Sequence, residues 1–260
     1  TGAAPNQQAI PAVDYLMNEI GVERWVLAGT DYVYPRTTNT ILVNFLHSKG
    51  IADEDIIVNY TPFGHSDWNG IVAEIKAFGS DGKKTAVVST VNGDANIHFY
   101  KELAAQNITA DQIPVMAFSI GEGEVKELDA GPLAGHLVAW NYFMSLESDH
   151  NTAFIEQWQA YTNDAMNVTN DPMEAHMIGF RMWVAAVEMA GSTDAADVSE
   201  ALGGLTTQAL SGQTVEMDAE NHHLHKPVYV GSINPDGSIT SIWNSGGLVA
   251  PNPWSPFMDG

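Results

Sequence analysis

Short apolar segments that suit buried strands alternate with segments of helical spacing through the first 145 residues of the chain. The strand-like segments cover residues 24–29, 56–60, 85–90, 113–118 and 135–142. Apolar residues at helical intervals lie between them, for example Ile41, Leu42, Phe45 and Leu46. Strands joined by helices of this length run parallel, and a parallel sheet is covered on both faces. The alternation therefore predicts an α/β fold with a parallel sheet flanked by helices.

The pattern becomes helix-rich after about residue 150. Phe154, Trp158 and Tyr161 have helical spacing, residues 173–189 form a long helical stretch, and Gly191 follows as a stop signal. A third helix is predicted over residues 195–202. Short strand signals then cover residues 214–217, 227–231 and 238–243.

The charge of the chain narrows the classes of partner. There are 32 acidic and 10 basic residues, a formal net charge of −22. A surface of that sign repels nucleic-acid backbones and anionic lipid headgroups, so we expect neither as a partner. The chain has no cysteine, which excludes thiolate nucleophiles and thiolate metal sites.

Polar residues follow three of the predicted strands. In an open parallel sheet, ligands bind beyond the carboxyl ends of the strands. Tyr32 and Tyr34 follow the first strand, Asp94 follows the third, and Ser119 and Glu122 follow the fourth. We therefore predict a ligand-binding site at this edge of the sheet, with these five residues as candidate contacts.

Each candidate also has a structural interpretation. Asp94 suits the N-cap of the following helix, and Ser119 with Glu122 has the spacing of a capping box. Pro35 and Arg36 suit the start of a helix. Tyr32 and Tyr34 stand at alternate positions just beyond a strand and can point the same way, which favours ligand contact for both.

Two further clusters in the sequence could serve as functional groups. In the run His222, His223, Leu224 and His225, only His223 and His225 can share a face of an extended segment, so a structural or surface role is favoured over a metal site. On the predicted helix 173–189, Glu174 and His176 suggest a buried pair, with a hinge or ligand role as the alternative. The sequence contains no phosphate loop, zinc-protease motif or nucleophile elbow, so we predict no metal, no cofactor and no enzymatic activity.

Several stretches of the sequence resemble the substrate-binding proteins of urea ABC transporters. They are TGAAPNQQAIPAVDYL, GTDYVYPRTTN, STVNGDAN, AGHLVAWNYF, DPMEAHMIGF and NHHLHKPVYVG. The same stretches resemble, more distantly, the amide-binding regulator of bacterial amidase operons and the branched-chain amino-acid binding proteins. The resemblance covers essentially all 260 residues.

The resemblance implies a type I periplasmic-binding-protein fold, in which two lobes with parallel sheets flanked by helices enclose the ligand and the chain crosses a hinge three times. It implies that residues 1–145 form the second lobe, residues 146–226 part of the first lobe, and residues 227–260 the return across the hinge and a tail. Family members carry another stretch before TGAAPNQQ. We therefore expect the first lobe to be incomplete in this chain, and the chain alone to bind urea no better than about millimolar.

The resemblance also implies a function. It predicts a periplasmic protein that captures urea or a short-chain amide and delivers it to an ABC permease in the inner membrane. Tyr32 and Tyr34 match tyrosines of the amide-regulator motif, and Asp94 and Ser119 lie on neighbouring loops. An amide-sensing regulator of the same fold is the alternative. An amide hydrolase is a third possibility, for which the sequence offers no nucleophile or metal constellation.

Overall fold

A seven-stranded sheet forms the centre of the larger part of the molecule. In the computed structural model, which describes residues 1–258, the strand order is β10-β9-β5-β4-β3-β1-β2. Its strands are β1 (Arg24–Thr30), β2 (Ile56–Thr61), β3 (Thr85–Thr90), β4 (Val115–Ala117), β5 (Leu137–Trp140), β9 (Tyr229–Ile233) and β10 (Ile239–Asn244). The first five run parallel, which confirms the prediction, while β9 and β10 form an antiparallel hairpin at the β5 edge.

Helices cover both faces of this sheet. They are α1 (Ala9–Tyr15), α2 (Val33–Ser48), α3 (Asn69–Phe78), α4 (Ala95–Ala105), α5 (Glu122–Glu127) and α6 (Ala130–Leu133). Alternate residues of each strand enter different apolar clusters: Trp25 and Leu27 pack on one face, Val26 and Ala28 on the other, and all four are fully buried. Burial on both faces explains why the strands read as continuous apolar runs.

A smaller unit with its own apolar cluster follows β5. It contains α7 (Asp149–Thr162), α8 (Asp171–Ala190) and α9 (Ala195–Leu202), and a three-stranded antiparallel sheet of β6 (Thr206–Gln208), β7 (Thr214–Met217) and β8 (Leu224–His225). Ile178 and Met182 of α8 pack there against Val215 and Leu224. Gly191 ends α8 in the left-handed conformation (φ 63°), as the stop signal predicts.

Three chain segments meet where the smaller unit joins the main sheet. The Asn141 side-chain amide donates to the backbone oxygens of Gln7 (2.9 Å) and Pro227 (2.7 Å), so one side chain ties all three segments together. The Gln7 amide in turn donates to the backbone oxygens of Leu224 (2.7 Å) and Val249 (2.8 Å). The two lobes, the three crossings at a hinge and the lobe boundaries stay a prediction.

Candidate ligand-binding cleft

The carboxyl ends of β1, β3, β4 and β5 lie side by side, because these strands are neighbours in the sheet. Hydrogen bonds hold the loops that follow them. Thr30 accepts from the backbone N–H of Asn92 through its hydroxyl oxygen (2.9 Å), and the Ser119 hydroxyl donates to the backbone oxygen of Val91 (2.8 Å). The predicted convergence of these strand ends is therefore present in the structure.

Two adjoining cavities open at this edge, and together they are called the cleft below. Their volumes are about 460 and 340 Å³, and both are lined by Asn92, Ser119, Trp140, Asp171 and Pro172. The larger cavity also reaches Gln8, Tyr34 and His176, and the smaller one Asp94, Glu124 and Glu127. Because Asp171 and Pro172 begin α8, the cleft lies between the main sheet and the smaller unit.

Asp94 stands at the start of α4 without capping it. Its backbone is helical (φ −60°, ψ −20°) rather than extended, and its side chain accepts no capping hydrogen bond. A capping residue needs the extended conformation to turn its oxygen back toward the helix N–H groups. Asp94 therefore occupies the N-cap position of α4 without making a capping hydrogen bond, and its exposed carboxylate lines the smaller cavity.

The predicted capping box is shifted by two residues. α5 begins at Glu122, its N-cap is Gly121 with an extended backbone, and the Gly121 N–H donates to the Glu124 carboxylate (2.9 Å). The box of Ser119 and Glu122 is therefore wrong. Ser119 is left to line both cavities of the cleft.

The structure does not place Glu122 among the residues that line the cleft. Its side chain is buried behind the cleft, where Oε1 accepts from the backbone N–H of Met144 (2.6 Å). Oε2 has no hydrogen-bond partner within residues 1–258. Burial raises the pKa of this carboxyl to about 7, and the nearby charges of Asp171 and Glu124 also raise it.

The two tyrosines do not enter the cleft together. α2 begins at Val33, so the extended alternation assumed for Tyr32 and Tyr34 is lost. Tyr34 lines the larger cavity, and burial raises the pKa of its phenol, which keeps the hydroxyl available as a donor. The Tyr32 ring packs instead on Phe63, with ring centroids 4.9 Å apart.

Pro35 and Arg36 lie in the first turn of α2, as their helix-start interpretation predicts. The Arg36 guanidinium bonds the Asp31 carboxylate at 2.6 Å and lies over the Tyr60 ring, outside the cleft lining.

Several cleft residues lie outside the five predicted contacts, among them Trp140, Asp171 and His176, of which only His176 had a ligand role as an alternative. The Trp140 indole N–H donates to the backbone oxygen of Ile120 (2.7 Å), which fixes an aromatic ring in the wall. Asp171 is buried and accepts from the backbone N–H of Asn141 (2.9 Å). His176 is exposed in the larger cavity. Trp140 could have been predicted as a contact, because it is an aromatic residue at the end of β5. No residue pattern near Asp171 predicts that it lines the cleft.

The predicted buried pair of Glu174 and His176 is wrong. Glu174 is buried against Lys226, with 3.6 Å between carboxylate and ammonium, and each side chain is 1% exposed. Burial raises the pKa of Glu174 to about 7, while the positive charge of Lys226 acts in the opposite direction. Lys226 follows β8, so this pair ties α8 to one of the three chain segments that meet where the smaller unit joins the main sheet.

The cleft carries negative charge. Within residues 1–258 it is lined by four carboxylates, on Asp94, Glu124, Glu127 and Asp171, and by no lysine or arginine. A ligand carboxylate would therefore meet no lysine or arginine side chain from the described residues. Neutral or cationic ligands that donate hydrogen bonds suit this lining better.

The histidine run makes local contacts. His225 lies 3.4 Å from the Asp218 carboxylate, and His223 Nδ1 lies 3.0 Å from the backbone oxygen of Asn221. Among residues 1–258, no group of three or more histidine, cysteine or acidic side chains could hold a metal ion. No helix of that same range has the length and apolar character needed to cross a membrane.

Solved structures of similar fold come from transport proteins. An ABC-transporter solute-binding protein from Rhodopseudomonas palustris HaA2, in complex with p-hydroxybenzoic acid, superposes with a TM-score of 0.82 at 19% identity, over 97% of this chain and 67% of that one. A leucine-, isoleucine-, valine-, threonine- and alanine-binding protein from Brucella ovis gives 0.78 at 14% identity, over 98% and 66%. This chain thus spans about two thirds of their length, and at these identities the likeness shows a shared fold.

Sequence comparison gives a partial match to a curated protein and a family-profile match over residues 1–259. A limonene hydroxylase from Geobacillus stearothermophilus is 32% identical over 127 residues, which are 48% of this chain and 22% of that protein. A match of that extent assigns no activity to this chain. The profile of the periplasmic binding protein domain matches residues 1–259. The chain therefore belongs to the periplasmic binding protein domain family.

Proposed function

We propose that this protein captures urea or a short-chain amide outside the inner membrane and delivers it to an ABC permease. The observation that carries the proposal is the lining of the cleft, which within residues 1–258 combines carboxylate, hydroxyl, amide and aromatic groups with no lysine or arginine. The family and the transport proteins of the same fold support the general role, and the lining supports the ligand class.

Urea is flat and neutral, with one carbonyl acceptor and four N–H donors. It asks for several acceptors, one donor for its oxygen and an aromatic surface that excludes water. The Asp94 carboxylate and the Ser119 hydroxyl oxygen supply acceptors, the Tyr34 phenol supplies a donor, and the Trp140 indole supplies the aromatic surface. Tyr32, with its ring 6.1 Å from that of Tyr34, lies next to this group and is proposed to border it.

Ligands that carry a carboxylate fit this lining poorly. An amino acid or a benzoate that enters the cleft loses water from its negative charge, and the side chains of the cleft return no lysine or arginine in exchange. The four carboxylates add repulsion. We therefore expect a different ligand from the p-hydroxybenzoic acid and the amino acids that the structurally similar proteins bind.

The architecture supports a two-part enclosure. We propose that the main sheet with its helices forms one wall, from residues 1–145 and 227–260, and that residues 146–226 contribute to the other. The start of α8 contributes Asp171 and Pro172 to both cavities of the cleft. Movement at the three crossing segments would then open and close the site.

Thermal-shift screening tests the proposed ligand. Urea, formamide and acetamide should raise the melting temperature of the protein, whereas leucine and 4-hydroxybenzoate at the same concentrations should leave it unchanged. Stabilisation by leucine or 4-hydroxybenzoate without stabilisation by amides would refute the amide proposal. Release of ammonia from urea or acetamide would instead indicate a hydrolase.

A further inference from the structure

A third cavity of about 560 Å³ lies beside α5 and is larger than either part of the cleft. It lies between α5, the segment after β5, residues 166–168 and the turn between β9 and β10. Of its lining residues, only Leu128 also lines the cleft. This space is called the α5 cavity below, and its size falls in the range of small-molecule sites.

The walls of the α5 cavity are mostly apolar. They include Val125, Leu128, Met144, Val168 and Ile239. Walls of this kind favour a ligand with an apolar body, because burial of its apolar surface is the main favourable contribution to the free energy of binding.

Two acidic residues, Glu122 and Asp236, interrupt these walls, and of the two Glu122 is the buried one. Glu122 lines the α5 cavity, and its side chain is 5% exposed. Oε1 is engaged by the N–H of Met144, while Oε2 is enclosed and has no hydrogen-bond partner within residues 1–258. An enclosed carboxylate oxygen without a donor is unfavourable, and a ligand N–H would remove that cost. The terminal torsion of a glutamate is soft, so a small rotation presents this oxygen to a ligand.

The other charges near the cavity also favour a cation. Lys126 donates to the backbone oxygen of Met166 (3.1 Å) and lies 3.7 Å from the Asp164 carboxylate, so its charge is already partnered. Asp236 lines the cavity and accepts from Ser238. The remaining charge around the cavity is therefore negative.

We propose that the α5 cavity is a second ligand site, distinct from the cleft, which binds a small organic ammonium ion with an apolar body and an N–H donor directed to Glu122. A positive head opposite a buried carboxylate forms a charge-assisted hydrogen bond. Its apolar body replaces water along Val125, Leu128 and Ile239. The site does not depend on the identity of the ligand in the cleft.

Calorimetry with benzylamine, benzyl alcohol and benzoate tests this site. Benzylamine should bind saturably, benzyl alcohol more weakly, and benzoate not at all. Ala130→Trp places a large ring in the cavity from a small lining residue and should weaken benzylamine binding by at least about tenfold. Glu122→Gln keeps the shape of the side chain and should weaken benzylamine about tenfold while it leaves benzyl alcohol nearly unchanged.

Asp94→Ala is the matched control, because it removes an acid from the cleft and leaves the α5 cavity intact. Benzylamine should bind this variant as it binds the unmodified protein, and Ala130→Trp should bind urea normally. Benzylamine binding that is lost in Asp94→Ala but kept in Glu122→Gln would place the amine in the cleft and overturn the proposal. Absence of saturable benzylamine binding would also overturn it, whatever the result with urea. Glu122→Gln keeps the test valid if Ala130→Trp does not fold.

Discussion

Asp94 is an acid of the cleft whose side chain neither caps α4 nor pairs with a basic residue within residues 1–258. A residue of this kind contributes little to the folded structure and can serve a ligand. The structure thereby argues against a capping bond from Asp94, and its contact with a ligand stays a prediction.

Asp94→Ala should weaken urea binding by about 1.5–3 kcal/mol, the range for a hydrogen bond to a charged group. The melting temperature should change little, because no cap is lost. Calorimetry and thermal melting of the same variant measure both quantities. Asp197→Ala, an exposed acid in the first turn of α9, is the control and should affect neither. A clear loss of stability with normal urea affinity in Asp94→Ala would restore the capping interpretation.

Glu122 makes stability depend on pH. Its pKa in the folded state is raised to about 7 by burial, whereas in the unfolded state it ionises near its ordinary value of 4.5. Between these values the unfolded chain releases the proton first, so the free energy of unfolding falls as pH rises and levels off above pH 7. The full effect of one such group is about 3 kcal/mol.

Glu122→Gln should therefore match the unmodified protein at pH 4.5 and melt at a higher temperature at pH 8. The glutamine carbonyl can still accept from Met144, so the packing is retained. Glu127→Gln, an exposed position of the same helix, should show no such difference. Melting curves at the two pH values provide the measurement, and a Glu122→Gln variant less stable than the parent at pH 8 would contradict this account.

At the scale of elements, the approach of α2 to β1 decides where Tyr34 lies. A Cβ atom added to Gly29 of β1 would lie 2.5 Å from the Thr90 hydroxyl oxygen and 2.7 Å from Cβ of Pro35. Only glycine lets the first turn of α2 pack this closely on the end of the strand.

Gly29→Ala should destabilise the protein by about 1–3 kcal/mol through overpacking. Gly70, in the first turn of α3, has no atom within 4 Å of the corresponding Cβ position. Gly70→Ala is therefore the control and should be neutral or stabilise by up to about 1 kcal/mol. Denaturant unfolding compares the two, and equal effects would show that the close approach does not constrain the fold.

At the scale of the whole molecule, the net charge of −22 opposes compactness. An increase in ionic strength from 0.01 to 1 M shortens the screening length from about 30 to about 3 Å. The repulsion between carboxylates is then reduced. This stabilises the folded state more than the unfolded state, because the charges lie closer together in the folded state.

Addition of sodium chloride at pH 7.5 should therefore raise the melting temperature. The same salt series near pH 4.4, the isoelectric point of the sequence, should have a much smaller effect. Scanning calorimetry at both pH values tests the prediction. An equal rise at both would attribute the effect to stronger apolar burial in salt rather than to charge.

Local patterns predicted the strands of the main sheet and the long helices, but they did not predict the short elements α5, α6, β6 and β8. The period of apolar residues and the stop signals placed α9 over residues 195–202 and β7 over residues 214–217, as the structure has them. They also predicted the parallel sheet and the convergence of strand ends, since both follow from the alternation of strands and helices. Tyr34, Asp94 and Ser119 were thereby placed on the cleft from sequence.

Tertiary structure alone decided which polar groups share an environment. Glu122 is buried behind the cleft, where α5 begins at Glu122 with Gly121 as its N-cap. Glu174 pairs with Lys226, which is 52 residues away in the chain, rather than with its neighbour His176. Asp171 joins the cleft because its carboxylate accepts from the backbone N–H of Asn141, which follows β5, so that the start of α8 lies at the edge of the main sheet. Such contacts depend on which segments pack together and on which opposite charge or hydrogen-bond donor lies next to each buried charge. The spacing of nearby residues in the sequence specifies neither of these.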